Sequence, residues 1–259
     1  MRLVKGNSID ICQQLESWYE KASGRYLLQQ ERTLVGQLLE QVFGFHLLQL
    51  GVTRNHPLGL DAGLNHRIYT GAMAGGNIGM LSELSRLPFL DDSIDVVLLH
   101  HALEFSPNPH ALLREVHRIL APQGHIIVIG FNPLSLYGLN VHLRGLWPGN
   151  FWHDAHCMGT RRLHDWLHLL GAEVETVKHC YAIPPVGSPR LFGLLESADR
   201  YLARKNLPCG GVYAVRAQKH VATLTPTRTD WQKTMGSRLI DLTAPSKPVP
   251  NPREGDAAA

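Results

Sequence analysis

The sequence predicts an α/β fold in which helices flank a mostly parallel sheet. Residues 94–129 contain a buried strand, an amphipathic helix and a second buried strand. Such a connection within one sheet is nearly always a right-handed crossover between parallel strands. The chain has 259 residues, of which 44% are hydrophobic and 18% are charged. This composition is typical of a globular domain with a full apolar core.

The first half of the chain predicts helices followed by short strands. Apolar residues recur at helical spacing between positions 10 and 42, with an interruption expected at Gly24. The run His46–Gly51 (HLLQLG) is apolar and ends in glycine, which indicates a buried strand that enters a loop. Two weaker strand patterns follow at His66–Tyr69 and Ile78–Leu81, with a glycine-rich turn between them.

The central segment has the clearest pattern. Ile94–Leu99 is almost continuously apolar, as expected of a strand buried on both faces. Asn108 before Pro109 is typical of a helix start, with Asn as the N-cap and Pro at the first helical position. An apolar stripe runs along this predicted helix. A tight turn is expected at residues 121–124, and Ile126–Ile129 predicts the next buried strand.

The last third of the ordered chain predicts one helix and two strands. The helix covers Arg161–Leu170 and ends at Gly171, and strands are expected at Val174–Val177 and Gly211–Ala217. The connection between these strands is longer than a hairpin needs. It contains a helical stretch at Leu191–Arg204, which we interpret as a cap or an insertion.

These patterns divide the chain into three parts. Residues 1–40 form an N-terminal helical segment, and residues 41–218 form the α/β domain, with an insertion at about 180–210. Residues 219–259 lose apolar periodicity and gain Pro, Thr, Ser and Ala. We therefore predict that this tail is disordered.

Charge and cysteine usage restrict the classes of function. The formal net charge is +3, which gives no case for a dedicated nucleic-acid binder because such proteins concentrate basic residues on one face. No apolar run reaches the length of about 18 residues that a membrane span needs. The first ten residues also lack the pattern of a signal peptide. The four cysteines form no CxxC pair, which indicates reduced thiols in a cytoplasmic protein.

One group of histidines suggests a metal site and is weighed against a simpler interpretation. His153, His156 and Cys157 precede His164 and His168, which are one helical turn apart, a spacing that metal ligands can use. However, no tight ligand pattern repeats, and the chain has 15 histidines. A polar loop and an amphipathic helix explain the same residues. We therefore predict that the protein has no metal site.

Short motifs between Glu83 and Pro133 resemble a known family. They are ELSRLPF from Glu83, SIDVV from Ser93, HHALE from His100, PHALLREVHRIL from Pro109 and PQGH from Pro122. Through them the chain resembles the class I S-adenosylmethionine-dependent methyltransferases of the type 11 kind. It is most similar to a bacterial branch with a degenerate glycine loop. The resemblance extends loosely over residues 41–218.

The resemblance implies a fold, a cofactor and a set of binding residues. The fold would be a Rossmann-like, doubly wound and mostly parallel seven-stranded sheet with an antiparallel last strand. S-adenosylmethionine would bind at the carboxyl ends of the strands, where the strand order changes direction. By the resemblance, Gly51 is the first loop glycine, beside the methionine part of the cofactor. Glu83 would accept from the adenine amino group, Leu84 would pack on the ring, and His100 would lie at the mouth of the pocket.

The glycine loop departs from the family pattern. The family loop reads Leu-Asp-x-Gly-x-Gly-x-Gly, and here it reads LQLGVTRN. The acid has become Gln49, and two glycines have become Thr53 and Asn55. The acid that holds the ribose is not evident around Tyr69–Gly71. Two lost hydrogen bonds to charged groups lower the affinity by roughly 10²- to 10⁴-fold, unless these loop residues or Arg54 compensate.

The function implied is methyl transfer from S-adenosylmethionine to an unidentified small molecule. The acceptor would lie under residues 130–160 and the insertion at 181–205. Since the sulfonium is already activated, alignment of the acceptor can supply much of the rate, and no base is required. His100 and His101 are candidate bases, but the sequence assigns no catalytic residue. The alternatives are a non-catalytic relative that acts as a binding or interaction module, and, as a third choice, a nucleic-acid methyltransferase.

Overall fold

The computed structural model describes most of the chain. The described residues are 5–60, 63–71, 74–84, 86–146, 151–181 and 210–220, together with residues 197, 199, 201, 202 and 205. The helix expected at Leu191–Arg204 and the tail at 219–259 lie almost entirely outside these residues. Both therefore remain predictions.

Seven strands form one sheet. They are β1 His46–Gly51, β2 His66–Gly71, β3 Met80–Leu81, β4 Ile94–His100, β5 Leu120–Phe131, β6 Ala172–Cys180 and β7 Val212–Lys219. Their order is β3-β2-β1-β4-β5-β7-β6. The pairs among β1 to β5 are parallel, and β7 is antiparallel to both of its neighbours. The expected doubly wound, mostly parallel sheet with an antiparallel last strand is therefore confirmed.

Five α-helices with described bounds flank the sheet, and a short 3-10 helix covers Phe151–His153. The α-helices are α1 Lys5–Tyr19, α2 Ala22–Leu39, α3 Pro109–Ile119, α4 Leu136–Gly145 and α5 Thr160–Leu169. Helices α1, α2 and α4 pack on one face of the sheet, and α3 and α5 pack on the other. None of these helices is both long enough and apolar enough to cross a membrane.

Both faces of the central strands are buried. Leu47 and Leu98 belong to the core beneath α1 and α2, whereas Leu48 and Leu99 belong to the core beneath α3 and α5. Successive side chains of a strand point to opposite faces, so a strand covered on both sides must be apolar throughout. Each such side chain stabilises the fold by roughly 1.5–3 kcal/mol. This explains why these strands could be predicted from continuous apolar runs.

The break in the N-terminal helical segment corrects one expectation. It lies at Glu20 and Lys21, and Gly24 is inside α2. A Cβ atom at Gly24 would overlap the carbonyl oxygen of Trp18. The glycine therefore permits close contact between the start of α2 and the end of α1, rather than ending a helix.

The helix boundaries at Asn108 and Gly171 are confirmed, and the turn at 121–124 has a different form. The side chain of Asn108 accepts a hydrogen bond from the backbone N–H of Ala111 at 3.0 Å. Gly171 follows α5 with a φ of 80°, the left-handed conformation that glycine adopts readily. Residues 121–124 lie inside β5, where the pairing with β4 is irregular and Gln123 has a φ of 64°.

Candidate functional site

The candidate site lies where the order of the strands reverses. The chain proceeds from β1 to β2 on one side, and the sheet continues with β4 on the other side. Gly51, the last residue of β1, is in register with His100, the last residue of β4. In open α/β sheets, ligands bind at the carboxyl ends of the strands at this point. The topology therefore brings two of the predicted site residues together.

A small cavity beside Gly51 is lined by unpaired polar groups. Its volume is about 10 Å³, and Thr53, His56 and Tyr69 are among the residues that line it. Such a volume accommodates about one water molecule. Thr53 Oγ1, His56 Nδ1 and the Tyr69 hydroxyl are buried and have no hydrogen-bond partner within the described protein. Because an unsatisfied buried polar group costs about 1–3 kcal/mol, three of them around one cavity are suited to a polar ligand.

Gln49 holds the loop that follows β1. Its Nε2 donates to the carbonyl oxygen of His56 at 3.0 Å, and its Oε1 accepts from the N–H of Leu58 at 2.8 Å. A carboxylate at this position could not donate to a carbonyl oxygen. The replacement of the family's acid by Gln49 therefore has a structural consequence, because the amide fastens the loop at both ends of residues 56–58.

Arg54 ties the same loop to α1. Its Nη2 lies 2.7 Å from Glu16 Oε2, and its backbone N–H donates to Glu16 Oε1 at 2.8 Å. The arginine holds the pKa of the Glu16 carboxyl below its ordinary value, although burial acts to raise it. The loop at residues 52–58 is thus closed by side chains rather than by glycine turns.

Packing within the described protein does not require a glycine at position 51. A Cβ atom there would lie 3.6 Å from the carbonyl oxygen of His100 and 3.7 Å from the Cβ of His100. These are ordinary van der Waals separations. The described protein would therefore accept an alanine at this position.

Glu83 and Leu84 lie beyond the end of β3. Glu83 is exposed, and its carbonyl oxygen accepts from the N–H of Arg86 at 3.0 Å. Leu84 is partly buried and packs against the core on the α3 side. Neither residue lines the cavity beside Gly51. Their assignment to the adenine remains a prediction.

His100 belongs to a buried group of polar side chains, which we call the Glu31 cluster and which consists of Tyr19, Glu31, His100, His101 and Glu104. Glu31 bridges the two imidazoles, with Oε2 at 3.1 Å from Nε2 of His100 and Oε1 at 2.8 Å from Nε2 of His101. The Tyr19 hydroxyl lies 3.3 Å from the same atom of His100. Nδ1 of His101 lies 3.3 Å from Glu104 Oε1. All five residues are at most 2% exposed.

Electrostatic interactions within the cluster oppose the effect of burial. Burial raises the pKa of the Glu31 carboxyl, but the charge of His101 and the hydrogen bond from His100 prevail and lower that pKa to about 2. Burial lowers the pKa of His101, but Glu31 and Glu104 raise it to about 9. For His100, burial prevails and the pKa is lowered. In the absence of other ligands, Glu31 and His101 form a buried ion pair beside a neutral His100.

His101 also has a strained backbone. Its φ is 52°, and its N–H donates to the carbonyl oxygen of Ile129 at 3.1 Å. The left-handed conformation costs a residue with a side chain about 1–2 kcal/mol. Non-glycine residues held in this way are concentrated at functional sites. The imidazole of His101 lies within the cluster.

The histidines near Cys157 do not form a group, whereas the Glu31 cluster does. His153 is exposed, and its Nδ1 lies 2.7 Å from the carbonyl oxygen of Gly145. His156 is also exposed, and its Nδ1 lies 3.0 Å from the carbonyl oxygen of Asp154. Within the part of the chain that the structure describes, Glu31, His100 and His101 are the one group of three His, Cys, Asp or Glu side chains close enough to share a metal ion. Sequence analysis missed Glu31 because its partners lie about 70 positions away.

Comparisons with known proteins agree with this architecture. Residues 70–128 match the family model described as a methyltransferase domain. Over this segment the chain is therefore similar to the methyltransferases. A SAM-dependent methyltransferase from Thermotoga maritima has the same fold, with a TM-score of 0.59 at 19% identity over 79% of this chain and 93% of that one.

Two curated relatives match parts of this chain. The uncharacterized protein YafS of Escherichia coli (strain K12) is 33% identical over 145 residues, which are 56% of this chain and 59% of YafS. Malonyl-[acyl-carrier protein] O-methyltransferase of Halorhodospira halophila is 35% identical over 66 residues, or 26% of this chain and 21% of that enzyme. The chain thus spans little more than half the length of YafS.

Proposed function

We propose that this protein transfers a methyl group from S-adenosylmethionine to a small-molecule acceptor. The observation that carries the proposal is the set of three unpaired polar atoms, on Thr53, His56 and Tyr69, around the cavity at the end of β1. They lie at the strand reversal, where open α/β sheets bind their ligands. The donors and acceptors present suit the hydroxyl and amino groups of an adenosyl ligand.

The cofactor requires the loop at residues 52–58 to open. Cavities for ligands of this size have volumes of about 300 Å³ or more, far above the volume beside Gly51. The contacts that hold the loop are the Arg54–Glu16 pair and the bonds of Gln49. In the open form, Gly51 and Tyr69 would contact the cofactor on one side and His100 on the other, while Glu83 and Leu84 would hold the adenine.

The chain itself needs to supply binding and alignment rather than covalent chemistry. Bound S-adenosylmethionine supplies an activated methyl group. Residues at the ends of β1 and β4 would orient it, and α1 and α2 would exclude water. We propose that the acceptor lies under residues 130–160 and the insertion at 181–205, of which only part is described.

The small net charge supports a small molecule as the acceptor rather than a nucleic acid. The free thiols of Cys12, Cys157 and Cys180 support a cytoplasmic location.

Calorimetry on the whole chain with S-adenosylmethionine and S-adenosylhomocysteine tests the proposal, and Tyr69→Phe sharpens it. This change removes a buried hydroxyl that has no protein partner. It should leave the free energy of unfolding unchanged or raise it, since no bond is lost. If the hydroxyl binds the cofactor, affinity should fall by roughly 2- to 12-fold, the equivalent of one neutral hydrogen bond. Equal binding by wild type and Tyr69→Phe would remove this residue from the site.

A second candidate function is a non-catalytic binding or interaction module with the same fold. It is favoured by the closure of the loop, which leaves only about 10 Å³ beside Gly51. The two functions differ in one measurement. Wild-type protein that binds neither S-adenosylmethionine nor S-adenosylhomocysteine at millimolar concentration would support the module and exclude the enzyme.

A further inference from the structure

The Glu31 cluster joins three separate elements of the fold. Tyr19 is the last residue of α1, Glu31 lies in the middle of α2, and His100 and His101 follow one another at the end of β4. Glu31 is fully buried. Charged side chains are almost never fully buried unless they are paired or bind a metal ion.

Two carboxyl groups, those of Glu31 and Glu104, contact His101 from opposite sides of its ring. Glu104 Oε2 is buried and has no hydrogen-bond partner within the described protein. Imidazole and carboxylate groups gathered at one point are ligands that divalent transition-metal ions bind.

The spacing of the donor atoms is close to that of a tetrahedral metal site. Nε2 of His101 and Oε1 of Glu31 are 2.8 Å apart, and Nε2 of His100 and Oε2 of Glu31 are 3.1 Å apart. The Tyr19 oxygen lies 3.3 Å from His100 Nε2 and 3.5 Å from Glu31 Oε2. Metal bonds of about 2.0–2.1 Å in a tetrahedron separate the ligand atoms by about 3.3 Å. The ligand atoms of Glu31, His100 and His101 all lie within 4.8 Å of one another, so small rotations of these side chains would admit an ion.

The second ring nitrogen of His101 has the kind of partner that is usual for metal-binding histidines. Such a histidine usually directs its second ring nitrogen to a carboxylate or carbonyl. Nδ1 of His101 lies 3.3 Å from Glu104 Oε1, and that oxygen also accepts from the N–H of Phe131 at 2.7 Å. This arrangement leaves Nε2 of His101 directed at Glu31, where it could bind an ion together with the carboxyl group.

We propose that Glu31, His100 and His101 bind one divalent transition-metal ion, with zinc the expected occupant and the Tyr19 hydroxyl beside it. Imidazole and carboxylate ligands suit zinc, and three protein ligands leave the fourth position of a tetrahedron for an oxygen atom. The ion would fasten α1 and α2 to the carboxyl end of β4, beside the candidate cofactor cavity. The proposal differs from the expectation of no metal, which considered only ligands near one another in sequence, and it does not depend on methyl transfer.

Metal loading of the whole chain, expressed without a histidine tag, tests the site. The protein is treated with a chelator, dialysed against Zn²⁺, freed of excess metal and analysed for zinc. We expect about one zinc ion per chain in wild type and a large loss in Glu31→Gln, which keeps the shape but removes the anionic ligand. Zinc should also raise the thermal midpoint of wild type, because it binds only the folded state.

A matched control separates this site from adventitious binding. His46 and His66 form a pair at the surface, with Nδ1 atoms 2.8 Å apart, and could hold zinc by themselves. His66→Gln should therefore retain the zinc. Loss of zinc in His66→Gln with retention in Glu31→Gln would overturn the proposal, as would wild type that takes up no zinc.

A measurement on wild type alone covers the case in which Glu31→Gln does not fold. X-ray absorption of the zinc-loaded protein should show two imidazole ligands, oxygen ligands and no sulfur. Sulfur in the ligand set would assign the ion to cysteines and contradict the proposed site.

Discussion

Replacing Gly51 by alanine tests whether a cofactor approaches the backbone at the end of β1. The new Cβ would lie 3.6 Å from the carbonyl oxygen of His100 and 3.7 Å from its Cβ, and Gly51 is not in the left-handed conformation. Neither contact nor backbone strain therefore opposes alanine. The free energy of unfolding should stay the same or rise by up to about 1 kcal/mol, because alanine restricts the unfolded chain.

Binding should respond in the opposite direction. If the ligand packs directly on the backbone of Gly51, the added methyl group occupies space that the two share. Overpacking of this kind costs about 1–3 kcal/mol, which weakens binding by roughly 5- to 150-fold. Gly51→Val should abolish measurable binding of S-adenosylhomocysteine, because it adds further bulk at the same point.

The assay is a pair of measurements on each variant, urea unfolding and calorimetry with S-adenosylhomocysteine. Gly63→Ala is the matched control, since a Cβ atom at Gly63 meets nothing within 4 Å. It should bind like wild type. Full binding by Gly51→Ala would refute the placement of the cofactor. A large loss of stability in Gly51→Ala would instead show that the glycine is required by the fold.

Three further predictions concern the cofactor, the loop and the tail. Glu83→Ala should weaken S-adenosylhomocysteine binding by roughly ten- to a hundred-fold in calorimetry, because one hydrogen bond to a charged group is lost. The thermal midpoint should not change. If the variant binds as tightly as wild type, Glu83 does not contact the adenine. Glu16→Gln should tighten the same binding by up to about fivefold, because the partly exposed Glu16–Arg54 pair contributes about 1 kcal/mol to closure of the loop. Weaker binding by this variant would show that the pair does not hold the loop closed. A chain that ends at residue 220 should melt within a few degrees of the full chain, and a collapse in soluble yield would show that the tail packs on the domain.

The strands could be predicted to the extent that both of their faces are buried. Ile94–Leu99 was expected and β4 is Ile94–His100, because an apolar run marks a strand in the middle of the sheet. The expectation for β6 covered only Val174–Val177, whereas the strand extends over Ala172–Cys180. It lies at the edge of the sheet, where partly exposed positions carry polar residues and the apolar pattern is incomplete.

Helix α4 was missed because its apolar residues do not all face the core. Leu139 and Leu143 are 54% and 49% exposed, so the apolar residues do not form a single stripe. A local signal was nevertheless present. Ser135 precedes the helix, and its hydroxyl accepts from the N–H of Gly138 at 2.8 Å, as an N-cap does.

The Glu31 cluster could be found in the sequence only in part. Glu31 lies four positions after Leu27 and four before Val35, on the buried face of α2. An acid on the apolar stripe of a helix predicts a buried partner. Its identity could not be predicted, because His100 and His101 reach Glu31 only through the packing of α2 against the carboxyl end of β4.

Side chains hold the loop after β1 closed, and opening this loop for a ligand costs free energy. A glycine-rich loop approaches its ligand with bare backbone, whereas this loop is fastened by Gln49 and by Arg54. If its opening costs about 2–3 kcal/mol, only roughly one molecule in 30 to 150 is competent to bind, and the apparent affinity falls by the same factor. Release of the loop exposes Thr53, His56 and Tyr69, whose unpaired atoms make the closed form less stable than its contacts suggest. If the proposed cofactor pairs these atoms, the gain is of about the same size as the assumed cost of opening. The replacement of the acid and of two glycines would then not prevent binding.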